Sequence, residues 1–402
     1  MTESGFCNKI KWRIYKKEWG RKVNTQKKVL IREVVSKKQK KQFAAFNADM
    51  YRDVPQAIPD LVQDEYDNFE PKKNPAYDFC ETIRFLAYYE GEKEPVGRIA
   101  GIINHAANRK WERSRVRFSR IDFVDDRAVS EALLQAVEKW GKEKGMNQIQ
   151  GPIGFCDMDQ EGMLIEGFDR PGMLITIYNA PYYVDHMEKL GFEKSVDWHE
   201  FLIQMPEKPI EKMERLCELV LRKFRLTLIQ PQKKRELKKY ISDIFDLLNV
   251  SYAHLYGTVG LPPDLIQKYV QQFIILVNPN FVKLIYDENQ EIAGFGLALP
   301  SMNKALKKHN GRLFPLGWMD VLRAPYQEKE VLDLYLVGVM PKWKDKGLTA
   351  VLIDSMVKSA REVGMKYAET GPELETNIQV QSMWKYFDVE QHKKRRCWIK
   401  DI

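Results

Sequence analysis

Apolar and polar positions alternate most regularly between residues 331 and 387. The run VLDLYLVGVM supplies apolar side chains to both faces of a strand, which suits the middle of a sheet rather than its edge. After a short basic loop, Leu348, Val351, Leu352, Met356 and Ala360 recur at the spacing of one buried helical face. A second short strand and a closing helix complete the stretch. Toward the N-terminus the same reading predicts a strand over 29–35 and a helix over 36–51 that buries Phe43, Phe46 and Met50. It then predicts a hairpin of 82–89 with 95–103 and a strand over 117–124. Asp125 and Asp126 stand where N-terminal caps belong, before a helix whose Val129, Leu133, Val137 and Trp140 share a face. The expected fold class is α/β with a mixed sheet.

The pattern repeats. KEKGMNQIQGP at 142–152 parallels REVGMKYAETGP at 361–372, and VDHMEKL at 184–190 parallels VQSMWKY at 380–386. Two copies of one unit explain both echoes, and 402 residues exceed one ordinary core. Two prolines within 205–209 break helix and sheet alike. The expected organisation is a basic arm at 1–26, a first copy at 27–205, a linker at 206–212 and a second copy at 213–402.

A strand that ends in a Pro/Lys/Gly loop and turns at once into a helix leaves the first helical N–H groups without internal partners, and such a terminus attracts anions. Gly347 lets backbone approach a ligand, and Lys342, Lys344 and Lys346 surround it with positive charge. An ordinary turn with solvated lysines would read the same way. Val339-Met340-Pro341 followed by Lys344-Asp345-Lys346-Gly347-Leu348-Thr349 resembles the acyl-CoA loop of the GNAT N-acyltransferases. Lys344 stands where Gln or Arg is usual, and Thr349 where a second small residue is usual. The resemblance implies that Val339, Met340, Lys344, Lys346, Gly347, Leu348 and Thr349 meet an acyl-CoA, with the N–H of Val339 or Met340 polarising the thioester. At the matching point of the first copy the chain reads Val124-Asp125-Asp126-Arg127-Ala128, and two carboxylates there would repel a pyrophosphate. Acyl-CoA is therefore expected on the second copy, and the amine acceptor on the first.

Residues 151–183 hold five glycines and five acids, Asp157, Asp159, Glu161, Glu166 and Asp169, with neither helical nor strand period. Long loops that are rich in aromatics are commonly functional, although a self-packed connection fits as well. Gly151–Phe155, Asp159–Phe168, Tyr178–Tyr183 and Gly311–Pro315 resemble motifs of the double-GNAT family that includes bacterial ceramide synthases. The resemblance implies acyl transfer from acyl-CoA to an amine, with a long-chain sphingoid or other lipid amine as one candidate. It names Glu375, Asp159 and Glu166 as candidate general bases, and Asn377 as the asparagine of the family motif. The usual tyrosine acid, seven residues after that asparagine, is replaced by Trp384. Tyr386, on another face of the helix, Tyr178 or Tyr183 from the long loop, or solvent is then left to protonate the thiolate. Residues 252–263 and 297–306, with Leu313, Phe314, Leu316 and Trp318, would line an acyl-chain groove or form core strands.

The net charge of +8 is concentrated at the two ends of the chain. Trp12, Tyr15 and Trp19 among the lysines of the arm suit the anionic face of a membrane better than nucleic acid, although a solvated tail would read the same way. A Fem-like aminoacyl-tRNA-dependent transferase, also a double GNAT fold, and a non-catalytic GNAT-fold binding protein are the competing readings. Five scattered cysteines indicate neither a disulfide framework nor a zinc site, so a reducing, cytoplasmic setting is expected. There is no apolar run near 18 residues to span a membrane, and the six histidines show no metal-ligand pair.

Overall fold

The computed structural model describes residues 27–402; the basic arm, with Trp12, Tyr15 and Trp19, lies outside them. Fourteen strands among these residues form one sheet. They are β1 (Val29–Glu33), β2 (Cys80–Tyr89), β3 (Gly97–Asn104), β4 (Arg115–Phe123), β5 (Gln148–Gly151), β6 (Met163–Glu166) and β7 (Glu193–Gln204), then β8 (Thr227–Ile229), β9 (Val282–Tyr286), β10 (Ile292–Pro300), β11 (Val331–Val339), β12 (Tyr367–Thr370), β13 (Glu373–Leu374) and β14 (Val389–Asp401). The helix Lys37–Met50 starts at Ser36 in a capping box with Gln39 and buries Phe43 and Phe46, while Met50 is only partly covered. Asp126 caps the helix Arg127–Glu143, which turns Val129, Leu133 and Val137 onto the sheet.

The strand order is symmetric about its centre. Outward from the β14–β7 pair it reads β5, β4, β3, β2, β1 on one side and β12, β11, β10, β9, β8 on the other. In each half the fourth and fifth strands run parallel, Arg115–Arg117 beside Gln148–Gln150 and Val331–Leu334 beside Tyr367–Thr370. The duplication predicts this much. It does not predict that the final strands cross over: β14 pairs with β5 of the first half, and β7 pairs with β12 of the second. The division at 206–212 therefore separates the sequence, but the two halves share one continuous sheet.

Charge is buried at the seam. Lys393 is 1% exposed and held by Glu200 at 2.8 Å and by Glu369, and Arg396 is paired in two-pronged fashion with Asp197 at 2.8 and 3.0 Å. Removing one member of a buried pair costs about 3–5 kcal/mol, so the Lys393 contacts hold β14 against its neighbours.

Candidate active site

Strands β11 and β12 part company. Their pairing stops at Leu334 and Thr370, with a last bond from Gly371 N–H to the Leu334 carbonyl at 3.0 Å, yet β11 runs on to Val339 against β10 alone. Antiparallel residues alternate in direction, and Met340 N–H donates to the Ala293 carbonyl at 2.9 Å. Val339, one residue earlier, therefore turns its N–H away from β10 and into the gap. Of the two amides expected to polarise a carbonyl, Met340 is already engaged and Val339 is not turned to β10.

Beyond the gap, Pro341–Trp343 forms a 3-10 turn and Gly347 stands at the N-cap of the helix Leu348–Glu362 with φ +86°. An L side chain would be strained there, and its Cβ would lie 3.1 Å from Val220 Cγ2. No side chain caps this terminus, and the N–H groups of Leu348 and Thr349 have no acceptor within the helix. Lys342 is held by Asp287 at 3.1 Å and by Glu291, Lys346 stacks over Trp343 at 4.5 Å, and Lys344 is exposed.

The first half has the same frame with both openings filled. Val124 N–H donates to the Val96 carbonyl at 3.0 Å, as Met340 does to Ala293, which makes Phe123 the counterpart of Val339. The N–H of Phe123 donates to the Tyr183 hydroxyl at 2.8 Å, and the two rings stack at 4.0 Å. At the helix terminus, the Asp126 carboxylate accepts from Ala128 N–H at 2.9 Å. A tyrosine and an aspartate of the chain itself occupy these two positions in the first half.

A cavity of about 480 Å³ occupies the gap in the second half, within the usual range of ligand pockets. It passes through the sheet. A Cβ on Gly296 would meet Met356 of the helix Leu348–Glu362, whereas one on Gly338 would meet Leu247 of the helix Ile241–Ser251; Gly338 pairs with Phe295, whose side points opposite to Gly296. Both helices contribute to the lining, through Thr349 and Ile353 on one face and Ile244 and Leu248 on the other. Most of the wall is apolar, but the first half closes one end with acids: Asp60, Asp157, Asp159 and Glu161, beside Arg120. Burial and the neighbouring Glu65 push the Asp60 carboxyl up to about 7, and burial with Asp157 pushes Glu161 up to about 8. Glu373, just beyond the parted end of β12, is pushed up to about 8 by burial, partly offset by the Trp384 indole that donates to it at 3.2 and 3.3 Å.

No protein-family model matches the chain. It is 27% identical over 379 residues to protein YghO of Escherichia coli, covering 93% of this chain and 95% of that one. It is 25% identical over 333 residues to a bacterial ceramide synthase of Caulobacter vibrioides, covering 81% and 84%. Among solved structures, a tandem GNAT protein from the clavulanic acid biosynthesis pathway superposes with a TM-score of 0.53 at 10% identity, covering 93% of this chain and 98% of that one. The chain is a tandem GNAT-fold protein. A GCN5-related glucosamine N-acetyltransferase region of a fungal multi-domain β-N-acetylglucosaminidase gives a TM-score of 0.54 at 11% identity, covering 94% of this chain and 39% of that one.

Within this tandem GNAT frame the expected site residues separate. Val339, Gly347, Leu348 and Thr349 gather at the gap, Thr349 and Asn377 line the cavity, and Asp159 lines its acidic end. Asp159 does not suit a base. Burial raises its pKa, but Arg120 at 2.6 and 2.9 Å and the N–H groups of Phe155 and Gln160 outweigh this and hold it below the ordinary carboxylate range. Glu375 is held low in the same way, against its own burial, by Lys194 at 2.6 Å and Asp197 N–H, and it lies off the cavity wall. Glu166 is exposed at the β6 edge, 4.0 Å from Lys394. Tyr386 is 39% exposed and also off the wall. Tyr183 is a core residue that accepts from Tyr51 and Phe123, and Tyr178 is buried against Tyr51. Phe314, Leu316 and Trp318 are exposed rather than lining a groove.

Glu373 escaped notice in the sequence, whereas Tyr252 opens the segment 252–263 expected to line a groove or form core. Glu373 follows the repeated Gly-Pro, at the place where the first copy has Ile153, and that departure within the repeat was the available signal. Tyr252 lines the cavity and donates to the Val337 carbonyl at 3.1 Å, on the same open edge as Val339 N–H. Among the described residues, no group of three or more His, Cys, Asp or Glu is placed to hold a metal ion.

Proposed function

We propose that the protein transfers an acyl group from acyl-CoA to an amine, with the donor on the second half and the acceptor entering past the acids of the first. The observation that carries this reading is the contrast between the halves: Val339 N–H is turned away from β10 and no side chain caps the Gly347 helix terminus, whereas Phe123 N–H and the matching terminus are taken by Tyr183 and Asp126. The curated relative named a bacterial ceramide synthase agrees with it and favours a long-chain amine.

In this reading the amides of Leu348 and Thr349 receive the diphosphate, as helix termini do. The thioester oxygen lies on Val339 N–H, where a preorganised donor stabilises charge that grows during attack. An amine arrives as its ammonium, drawn by the carboxylates at the acidic end, and must lose a proton before its lone pair can attack. Glu373 accepts that proton; a carboxylate poised near 8 is well matched to an ammonium. The new C–N bond forms as the C–S bond breaks; in this reading the Tyr252 hydroxyl swings from the Val337 carbonyl to protonate the leaving thiolate, and the tyrosinate takes up the second proton that the nitrogen sheds as the amide forms. Trp384, in the place of the family tyrosine, serves as the donor that orients Glu373. The apolar remainder of the cavity fits a hydrocarbon chain.

The test is release of free CoA thiol from acetyl-, medium- and long-chain acyl-CoA against a panel of amines that includes sphingoid bases. Amine-dependent release, one thiol per amide formed, is the expected result. Salt-sensitive tRNA binding without thiol release would replace the reading with the Fem-like one, and CoA binding without turnover would replace it with a non-catalytic protein.

A further inference from the structure

The segment 311–327 is fastened at one end and bare along the rest. Gly311 packs so closely on the Asp60 backbone that a Cβ would meet the Asp60 carbonyl at 1.9 Å, its own carbonyl accepts from Val62 N–H, and Arg312 grips Asp49 at 2.9 and 3.0 Å. From there Phe314 is 80% exposed and Leu316 58%. In the helix Gly317–Gln327 that follows, Val321 and Pro325 face the core. Trp318, Leu322 and Tyr326, four residues apart, form an exposed stripe on another face. These are large side chains with no partner element above them among the described residues.

The surroundings of the stripe indicate what covers it. Lys234 Nζ stands over the Tyr326 ring at 5.5 Å and also donates to the Ile275 carbonyl, so the stripe runs into the short helix Lys234–Leu237 and into Ile275. Around that junction Lys233, Arg235, Lys238, Lys239 and Arg323 are all exposed. Aromatic and aliphatic side chains bordered by cations are the composition of a surface that sits in the headgroup layer of an anionic bilayer. Beneath the same junction is the apolar end of the cavity: Ile275 is exposed, while its neighbours Ile274 and Leu276 line the cavity, as does Leu237. A hydrocarbon chain leaving a bilayer at this face would meet the cavity wall within one layer of side chains.

We propose that the face formed by Phe314, Leu316, Trp318, Leu322, Tyr326 and the basic helix 234–237 docks on an anionic lipid bilayer and admits the chain of a lipid substrate to the cavity. It does not depend on the basic arm for contact. Vesicle binding is read without turnover, so its outcome is separate from that of the acyl-transfer reading.

The experiment is co-sedimentation of the full chain with phosphatidylcholine vesicles, with and without phosphatidylglycerol. The expected result is binding that requires phosphatidylglycerol and falls by at least about tenfold in a Trp318→Glu/Leu322→Glu double variant, which replaces two apolar contacts with charges. Lys238→Glu/Lys239→Glu, which leaves the apolar stripe intact, should weaken binding to the anionic vesicles. A chain lacking residues 1–26 should still bind, and turnover of a water-soluble amine should be unchanged in both double variants. Wild-type sedimentation of the Trp318/Leu322 variant, or loss of binding on removal of the arm alone, would overturn the proposal. So would a change in oligomeric state of that variant with no change on vesicles, since the face would then join two copies of the chain.

Discussion

Replacing Glu373 by glutamine keeps the shape of the side chain and removes its capacity to accept a proton. A positioned general base contributes about 10²–10⁴ in rate, or about 3–5 kcal/mol of barrier at 1.36 kcal/mol per decade. Glu373→Gln should lower kcat by that factor without lowering the melting temperature, because the carboxyl is held mostly neutral below about 8 and the amide is neutral too. The parent rate should climb as Glu373 ionises and level off above about 8. Trp384→Phe tests the same assignment from the other side. Its indole donates to Glu373 at 3.2 and 3.3 Å and favours the ionised form. A hydrogen bond to a charged group contributes about 1.5–3 kcal/mol, equivalent to about 1–2 pH units, so its loss should move the rise to higher pH by up to that amount. The assay is initial-rate thiol release across neutral and alkaline pH with a saturating amine of high solubility. A Glu373→Gln enzyme whose kcat is of the same order as the parent, with the same pH rise, would refute the assignment.

Three other outcomes follow from the geometry. Tyr183→Phe removes the hydroxyl that accepts from Phe123 N–H and from Tyr51, so thermal denaturation should reveal a loss of about 1–3 kcal/mol, while thiol release per folded molecule stays unchanged. Gly347→Val forces a branched side chain onto a φ of +86° beside Val220, at a cost of about 1–2 kcal/mol; KM for acyl-CoA should rise about tenfold with little change in kcat. Asp60, near 7, and Glu161 and Glu373, near 8, all lie above ordinary carboxylates, so the folded state keeps protons that the unfolded chain has released. Their contribution is complete in acid, below the unfolded carboxylate pKa, and is lost as pH rises through 7 to 8. The melting temperature should therefore fall over that window, and a cationic amine bound at the acidic end should restore part of it.

Much of this molecule is written in local pattern. The run 331–339, the glycine before Leu348 and the apolar face of the following helix appear where periodicity places them, because each is fixed by neighbours in sequence. Asp126 is likewise the cap that its position suggests. What escaped is non-local. The crossing of β14 and β7 is a pairing between distant segments, and nothing near Lys393 or Arg396 announces Glu200 or Asp197 as their partners. The titration of the loop's acids is non-local for the same reason: Arg120, distant in sequence, holds Asp159 low, whereas burial raises Asp157 and Glu161 in the same loop. Tyr183 illustrates the point most plainly, since a hydroxyl that seemed available to a substrate is spent on a backbone amide 60 residues earlier.

The most direct measurement is the structure of the full chain with bound coenzyme A. The diphosphate should rest on the amides of Leu348 and Thr349, with the pantetheine arm in the gap between β11 and β12 and its thiol near Val339. A nucleotide seated at Ala128 with Tyr183 and Asp126 displaced, or two molecules per chain, would contradict the division of labour between the halves.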